Sequence, residues 1–358
     1  MGFPWFFREC PPHHTNRSKQ SFNMDDKSVL PPVSPYNKKN SRNQHFRFVN
    51  VSRLLLICVA MLASVCGCRS EEESTNQTST KSNNQPSIVT TSYPLEWVTQ
   101  EIAGDQYVVN FPAGASDQPD RWRPDRKTIA EIQAADLIIS NGVAAPYASW
   151  MKTVSLPSAK VVETASQGMS LSDFISVQGI VHSHGPEGEH SHPTMVSRTW
   201  LDPVMLTKQA NYITQQLCKQ RPDNATQFNE NLATVTTKLK SVTPEPSPEP
   251  VASAFSATPE LKFLTRTTGI NDLHFNWNEN TTLAQAEADL TEKKPASALK
   301  YILFPQRLET LAERLKPLLQ QQKLEPVYID MLDKAIANRD FLKRLSDNFA
   351  KMRKVISD

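Results

Sequence analysis

The sequence predicts an α/β protein: two Rossmann-like lobes joined by one long, rigid helix. Three observations predict it. Short runs of Val, Ile and Leu alternate with amphipathic stretches at the spacing of strand–helix units. The alternation occurs twice, over 87–163 and again past 250. Between the two, Phe228, Leu232, Val235 and Leu239 form a single helical stripe, stopped by Pro244-Glu245-Pro246-Ser247-Pro248-Glu249-Pro250, where proline denies helix or inner strand its amide donors.

Each element follows from its residues. Ser87-Ile88-Val89-Thr90-Thr91-Ser92 reads as a buried strand, and 95–102 as a helix closed near Gly104. Tyr107-Val108-Val109-Asn110-Phe111 is a second strand and 126–134 a helix. Asp136-Leu137-Ile138-Ile139-Ser140, stopped by Asn141-Gly142, is a third strand and Lys160-Val161-Val162-Glu163 a fourth. Helices follow over 203–217 and 224–240, the second with Pro222-Asp223 as its expected cap. Past the proline run come a strand at 251–255, a helix at 260–267 ended by Gly269, and a polar helix at 281–292. Then follow a strand at 299–304, a helix at 309–321, a strand at 326–329 and a terminal helix over 340–356. Ligands of parallel α/β folds sit beyond the carboxyl ends of strands, which directs attention to loops 92–94, 112–124 and 141–147.

The leading segment has its own logic. Residues 54–65, behind Arg47 and Arg53, are apolar or small. They are too short for a hydrocarbon core that needs about 20 residues, and they fit the apolar part of an export signal. Gly67-Cys68 offers a lipid-attachment cysteine, so 51–68 reads as a lipoprotein signal and 69–86, polar with little to bury, as a flexible tether. Residues 1–50 carry no sustained period and are expected to be disordered, or absent if translation starts downstream, for instance at Met24. The remaining boundaries are an N-terminal lobe over 87–223 with a His-rich loop at 182–192, a connecting helix at 224–243 and a C-terminal lobe at 244–358. The protein is expected to be exported, to face the periplasm or cell exterior from a membrane anchor, and to be a monomer.

Composition removes other classes. Of five cysteines only Cys218 lies beyond residue 68, which excludes a disulfide framework or a multi-cysteine metal site. Cys218 and Trp97, Trp150 and Trp200 read as packing residues. The net charge of +2 includes the basic leader, and no basic patch with interleaved aromatics suits nucleic acid. With ten glycines and no phosphate loop, nucleophile elbow or His-Glu-x-x-His, nothing points to an enzyme.

Several phrases, in order, carry a resemblance. They are Pro112-Ala113-Gly114 through Asp117-Gln118-Pro119-Asp120-Arg121-Trp122-Arg123-Pro124, then Ala134-Ala135-Asp136-Leu137-Ile138-Ile139-Ser140-Asn141-Gly142. The His-rich loop, Arg198-Thr199-Trp200-Leu201-Asp202-Pro203 and Tyr328-Ile329-Asp330 follow. The chain is similar to the metal-binding lipoproteins that serve bacterial zinc and manganese ABC importers, over roughly 88–357. The resemblance implies the cluster A-I architecture, a divalent cargo ion between the lobes, zinc foremost, and an ABC permease and ATPase as partners. It also implies a ligand set of three His and one Asp or Glu, which suits four-coordinate zinc.

This sequence departs from that set. Asp120 stands at the first ligand position, Arg198 at the second and Thr258 near the third, while Asp330 is retained. Arginine cannot lose its proton to bind a cation. An Asp120–Arg198–Asp330 cluster is therefore expected to neutralise itself as a charge-paired clamp between lobes, with the site lost or rebuilt around residues such as His274; the alternative is an intact metal site with Asp120 and Asp330 as its carboxylate ligands. The alternative function is a scaffold or interaction lipoprotein of the same fold that binds no metal. His182, His184, His190 and His192, with Glu187 and Glu189 among them, leave two readings open: a flexible loop that gathers zinc, copper or nickel, or a solvated low-complexity loop.

Overall fold

A computed structural model of the chain describes residues 85–358 apart from positions 117, 144, 145, 179–181, 184–188, 191, 192, 246, 248, 294–298, 339 and 358. The first lobe contains β1 (Ser87–Thr90), α1 (Tyr93–Ala103), β2 (Val108–Asn110), α2 (Arg126–Ala134), β3 (Leu137–Ser140), β4 (Val161–Glu163) and α3 (Thr164–Gly168). Its four strands run parallel in the order β2-β1-β3-β4. Leu137, Ile138 and Ile139 are all buried, because a strand covered by helices on both faces needs a continuous apolar run and not an alternating one.

Two nested antiparallel pairs follow: β5 (Ser176–Gln178) with β8 (Pro193–Met195), and β6 (His182–Ser183) with β7 (Glu189–His190). Helices α4 (Pro203–Gln220) and α5 (Ala225–Val242) then lead to the second lobe. That lobe holds β9 (Ala252–Ser256), α6 (Lys262–Thr268), β10 (Ile270–His274), α7 (Leu283–Glu292), β11 (Tyr301–Pro305), α8 (Glu309–Gln321), β12 (Glu325–Ile329) and α9 (Phe341–Ser357). Its strands are again all parallel, in the matching order β10-β9-β11-β12.

Helix starts are fixed locally. Asp125 accepts the Thr128 amide at 2.7 Å to cap α2, and Asp202 accepts the Val204 amide at 2.8 Å to cap α4. Thr282 and Gln285 close a capping box at α7. Gly269 ends α6 in the left-handed conformation (φ 68°) that a side chain would strain.

Two expectations need correction. The start of α5 is a 3-10 turn over Pro222–Asn224, with Asn224 and not Asp223 at the cap and no side-chain cap bond there. Ile270–His274 is a strand absent from the sequence reading. Its polar Asn271, Asp272 and His274 hide the pattern, as an edge strand allows, since Asn271 is exposed while Ile270 is buried.

One core joins the lobes. Its buried side chains run from Ile88 and Leu95 through Trp200, Leu206, Phe228 and Leu232 to Phe263, Met331, Phe341 and Phe349. Trp200 is fully buried and donates its indole N–H to the Met331 carbonyl at 3.0 Å, while Trp97 stacks on Phe341 of α9. Residues 84–358 accordingly form one compact unit. Among the described residues no helix is long and apolar enough to cross a membrane. Cys68, the signal and residues 69–84 of the tether lie outside the described residues, while Pro86, at the tether's expected end, already accepts the Val108 amide at 2.9 Å.

Candidate functional site

Strand order reverses between β1 and β3 in one sheet and between β9 and β11 in the other, and such switch points open a crevice beyond the carboxyl ends. The second lobe places a charged residue in each connection leaving a strand: Glu260 after β9, Glu279 after β10, Arg307 after β11, and Asp330 and Asp333 after β12. The first lobe brings Arg121, from the connection after β2, and Arg198, from the segment between β8 and α4.

The Arg198 segment is held from behind by a buried polar network. Asn141 donates from Nδ2 to the Ser197 carbonyl at 2.6 Å, and Gln209 donates from Nε2 to Asn141 Oδ1 and Thr164 Oγ1, each at 2.7 Å. Thr199 Oγ1 lies 3.0 Å from Gln209 Oε1. Asp202, capping α4, also accepts from Arg266 of the second lobe at 2.9 Å.

The charges alternate across the junction. The Arg198 side chain is 1% exposed; its Nη1 lies 3.0 Å from Glu260 Oε1 and its Nη2 3.4 Å from Asp333 Oδ2. Arg307 pairs with Glu260 and lies 3.7 Å from Glu279, which Arg121 meets at 3.4 Å. Burial alone would raise the Glu260 carboxyl, but Arg198 and then Arg307 hold it below the usual glutamate value. The exposed Arg121–Glu279 pair adds little, about 0–1 kcal/mol, whereas the buried Arg198 cannot lose its partners cheaply.

The expected Asp120–Arg198–Asp330 clamp is corrected here. Asp330 accepts a two-pronged contact from Arg344 of α9, Nε to Oδ2 and Nη2 to Oδ1, both at 2.8 Å, and Asn348 brackets its backbone. Among the described residues no ion pair joins Arg198 to Asp120 or Asp330, because Glu260, Asp333 and Arg344 reach those groups first. Asp120 is half-buried, one residue before Arg121. Thr258 is buried and accepts the Glu260 amide at 3.0 Å, which makes it a turn cap.

His274 ends the edge strand β10. Burial first, and then the nearby Lys262, lower its pKa against the opposing pull of Asp272, whose carboxylate is taken by Lys262 at 2.8 Å. His182 and His190 face each other in register across β6 and β7, while His184 and His192 lie outside the described residues.

These residues do not fit a divalent ion between the lobes. Both Asp330 oxygens are committed to Arg344, Thr258 caps a turn, and a permanently charged guanidinium stands at the second position. Among the described residues no three His, Cys, Asp or Glu side chains converge as a ligand group. Glu260, Glu279, Arg307, Asp333 and Arg344 escaped the sequence reading. For the first four the only signal was position in a connection leaving a strand; Arg344, within α9, had none.

Two parallel sheets of matching strand order, bridged by helices and meeting at a charged junction, define the class: a two-lobed α/β binding-protein fold. The chain belongs to the family of zinc-uptake complex component A, periplasmic, whose model matches residues 88–355. It is similar to the high-affinity zinc uptake system protein ZnuA of Bacillus subtilis, 33% identical over 191 residues, covering 50% of this chain and 55% of that protein. The zinc-binding lipoprotein AdcA of Streptococcus pneumoniae is 25% identical over 262 residues, 68% of this chain and 49% of that protein. The chain thus spans about half the length of these two curated relatives. The manganese ABC transporter substrate-binding lipoprotein scaA of Streptococcus gordonii is 23% identical over 266 residues, 74% of this chain and 78% of that protein. The solved Zn(II)-bound ZnuA-like domain of Streptococcus pneumoniae AdcA shares the fold, with a TM-score of 0.58 and 20% identity over 76% of this chain and 100% of that one.

Proposed function

We propose that this chain is an extracytoplasmic solute-binding component of a divalent-metal ABC importer, anchored at a membrane through Cys68 and acting with a permease and an ATPase, not as an enzyme. Family membership over 88–355 carries the reading. The cargo is zinc or manganese, and the 182–192 loop is its locus. Four imidazoles supply the nitrogen ligands that zinc prefers. The backbone register supports this, since it sets two of the four histidines, His182 and His190, at opposed positions of one ladder.

Calorimetric titration with Zn²⁺ tests it on the parent, on a variant with His182, His184, His190 and His192 all changed to Ala, and on Asp120→Asn. The four-His variant should lose the affinity and Asp120→Asn should keep it. Parent affinity should fall as pH drops from about 7.5 to 5.5, because protonated imidazole cannot coordinate. The opposite ranking returns the cargo to the interlobe position.

The buried Arg198 favours a second reading, a scaffold or interaction lipoprotein that binds no ion. If the parent binds Zn²⁺ and Mn²⁺ no more tightly than about 100 μM, or roughly −5.5 kcal/mol, the second reading stands and the first falls.

A further inference from the structure

We infer that the interlobe junction is a cation site whose ligand is the chain's own Arg198 guanidinium, so the lobes hold together with no cargo ion between them. Three observations carry it. First, a guanidinium 1% exposed has left water, which costs several kcal/mol for an ion unless anions await it, and both anions come from the opposite lobe: Glu260 beyond β9 and Asp333 beyond β12.

Second, the run Arg121, Glu279, Arg307, Glu260, Arg198, Asp333 alternates in sign and sums to zero. A free divalent ion brought to it would find each of its three carboxylates already facing a guanidinium. With Arg198 removed, the same group carries one excess negative charge beside a space of guanidinium size. Third, Asn141, Gln209, Thr164 and Thr199 hold the backbone around Arg198 through bonds that do not use its side chain, so its removal need not unravel the segment. The vacated receptor, built of carboxylate oxygens, would suit a planar guanidinium or an oxygen-preferring ion such as Mn²⁺ more than a soft metal.

The test uses the full chain with the four loop histidines changed to Ala, so that it succeeds or fails independently of the cargo locus proposed above. Into this background go Arg198→Ala, Arg198→Lys and Arg198→Ala with Glu260→Gln. Thermal unfolding and calorimetry are run with guanidinium at sub-denaturing concentration, methylguanidinium or Mn²⁺, with choline chloride as the salt control.

Arg198→Ala should unfold at lower temperature than its background. Guanidinium or Mn²⁺ should restore it saturably, binding at least about tenfold more tightly than to the Arg198-containing background, while choline does nothing. Adding Glu260→Gln should abolish the rescue. Where Arg198→Ala does not fold alone, refolding on addition of guanidinium or Mn²⁺, followed by circular dichroism, is the readout. Arg198→Lys should fold without added cation. Absence of rescue, equal rescue by choline, rescue that survives Glu260→Gln, or an unfolded Arg198→Lys would each overturn the inference in favour of shape packing.

Discussion

Changing Asp330 to Ala should destabilise the protein even where no metal is present. The carboxylate accepts Arg344 at two points, each 2.8 Å, and the Leu332 amide at 2.9 Å, while the Arg344 side chain is only 4% exposed. Removing the acid strands a buried guanidinium that keeps the Lys334 carbonyl, at 2.7 Å, and the Tyr93 ring but loses the counter-charge of Asp330. Breaking one partner of such a pair costs about 3–5 kcal/mol. With a urea dependence of about 3 kcal/mol per molar, the unfolding midpoint should fall by roughly 1–1.7 M. The assay is urea denaturation at pH 7 with a chelator present, followed by tryptophan fluorescence. Replacing both partners, Asp330→Ala with Arg344→Met, should recover part of the loss, since an apolar pair leaves no charge uncompensated. If Asp330→Ala leaves the chelated midpoint within about 0.3 M of the parent's, equivalent to under about 1 kcal/mol, Asp330 is not a structural clamp and is free to ligate.

Three further outcomes follow from other contacts. Trp200→Phe deletes the donor to the Met331 carbonyl and leaves that oxygen buried, so unfolding free energy should fall by about 1–3 kcal/mol; a change below about 0.5 kcal/mol by urea titration contradicts the bond. The folded pKa of Glu260 lies below its unfolded value, so its contribution is complete above the usual glutamate range and is lost as pH falls through the lower folded value; the stability gap between parent and Glu260→Gln should close in acid, and a gap independent of pH refutes this. The folded pKa of His274 is lowered, so the unfolded chain takes up its proton first and stability should decline as pH falls below about 6.5. His274→Asn should flatten that part of the thermal-stability profile, and an unchanged slope removes His274 as its source.

The fold was legible wherever one apolar run met one structural role. Leu137–Ser140, buried on both faces, announces itself by composition, and α5 by its stripe of Phe228, Leu232, Val235 and Leu239. Arg126–Ala134 was readable to the residue, because Asp125 supplies its cap immediately before. Edge strand β10 was not legible, since the exposed Asn271 and the buried Asp272, which Lys262 and Thr265 bind, both read as loop residues.

The site was legible in part. Residue 198 was readable as a buried charge at the junction, but its partners are Glu260 and Asp333 and not Asp120 and Asp330. Glu260 lies two residues from Thr258 and Asp333 three from Asp330, and such offsets decide which carboxylate meets a guanidinium. Sequence spacing in a turn does not fix that direction. Arg344 was hidden for another reason: on an amphipathic terminal helix it resembles every other solvated cation until its neighbour Asp330 is known.

The network behind residue 198 has an evolutionary consequence. Ser197 and Thr199 are tied down through Asn141, Gln209 and Thr164, so the bracket is finished before the intervening side chain is chosen. Any member of that bracket is hard to exchange alone, because each leaves a partner buried and unsatisfied at about 1–3 kcal/mol. The bonds of the bracket run through the neighbours of residue 198 and not through its side chain. A lineage with this bracket can therefore keep the presenting backbone as inherited hardware, while a new residue at the junction needs matching changes at Glu260 and Asp333.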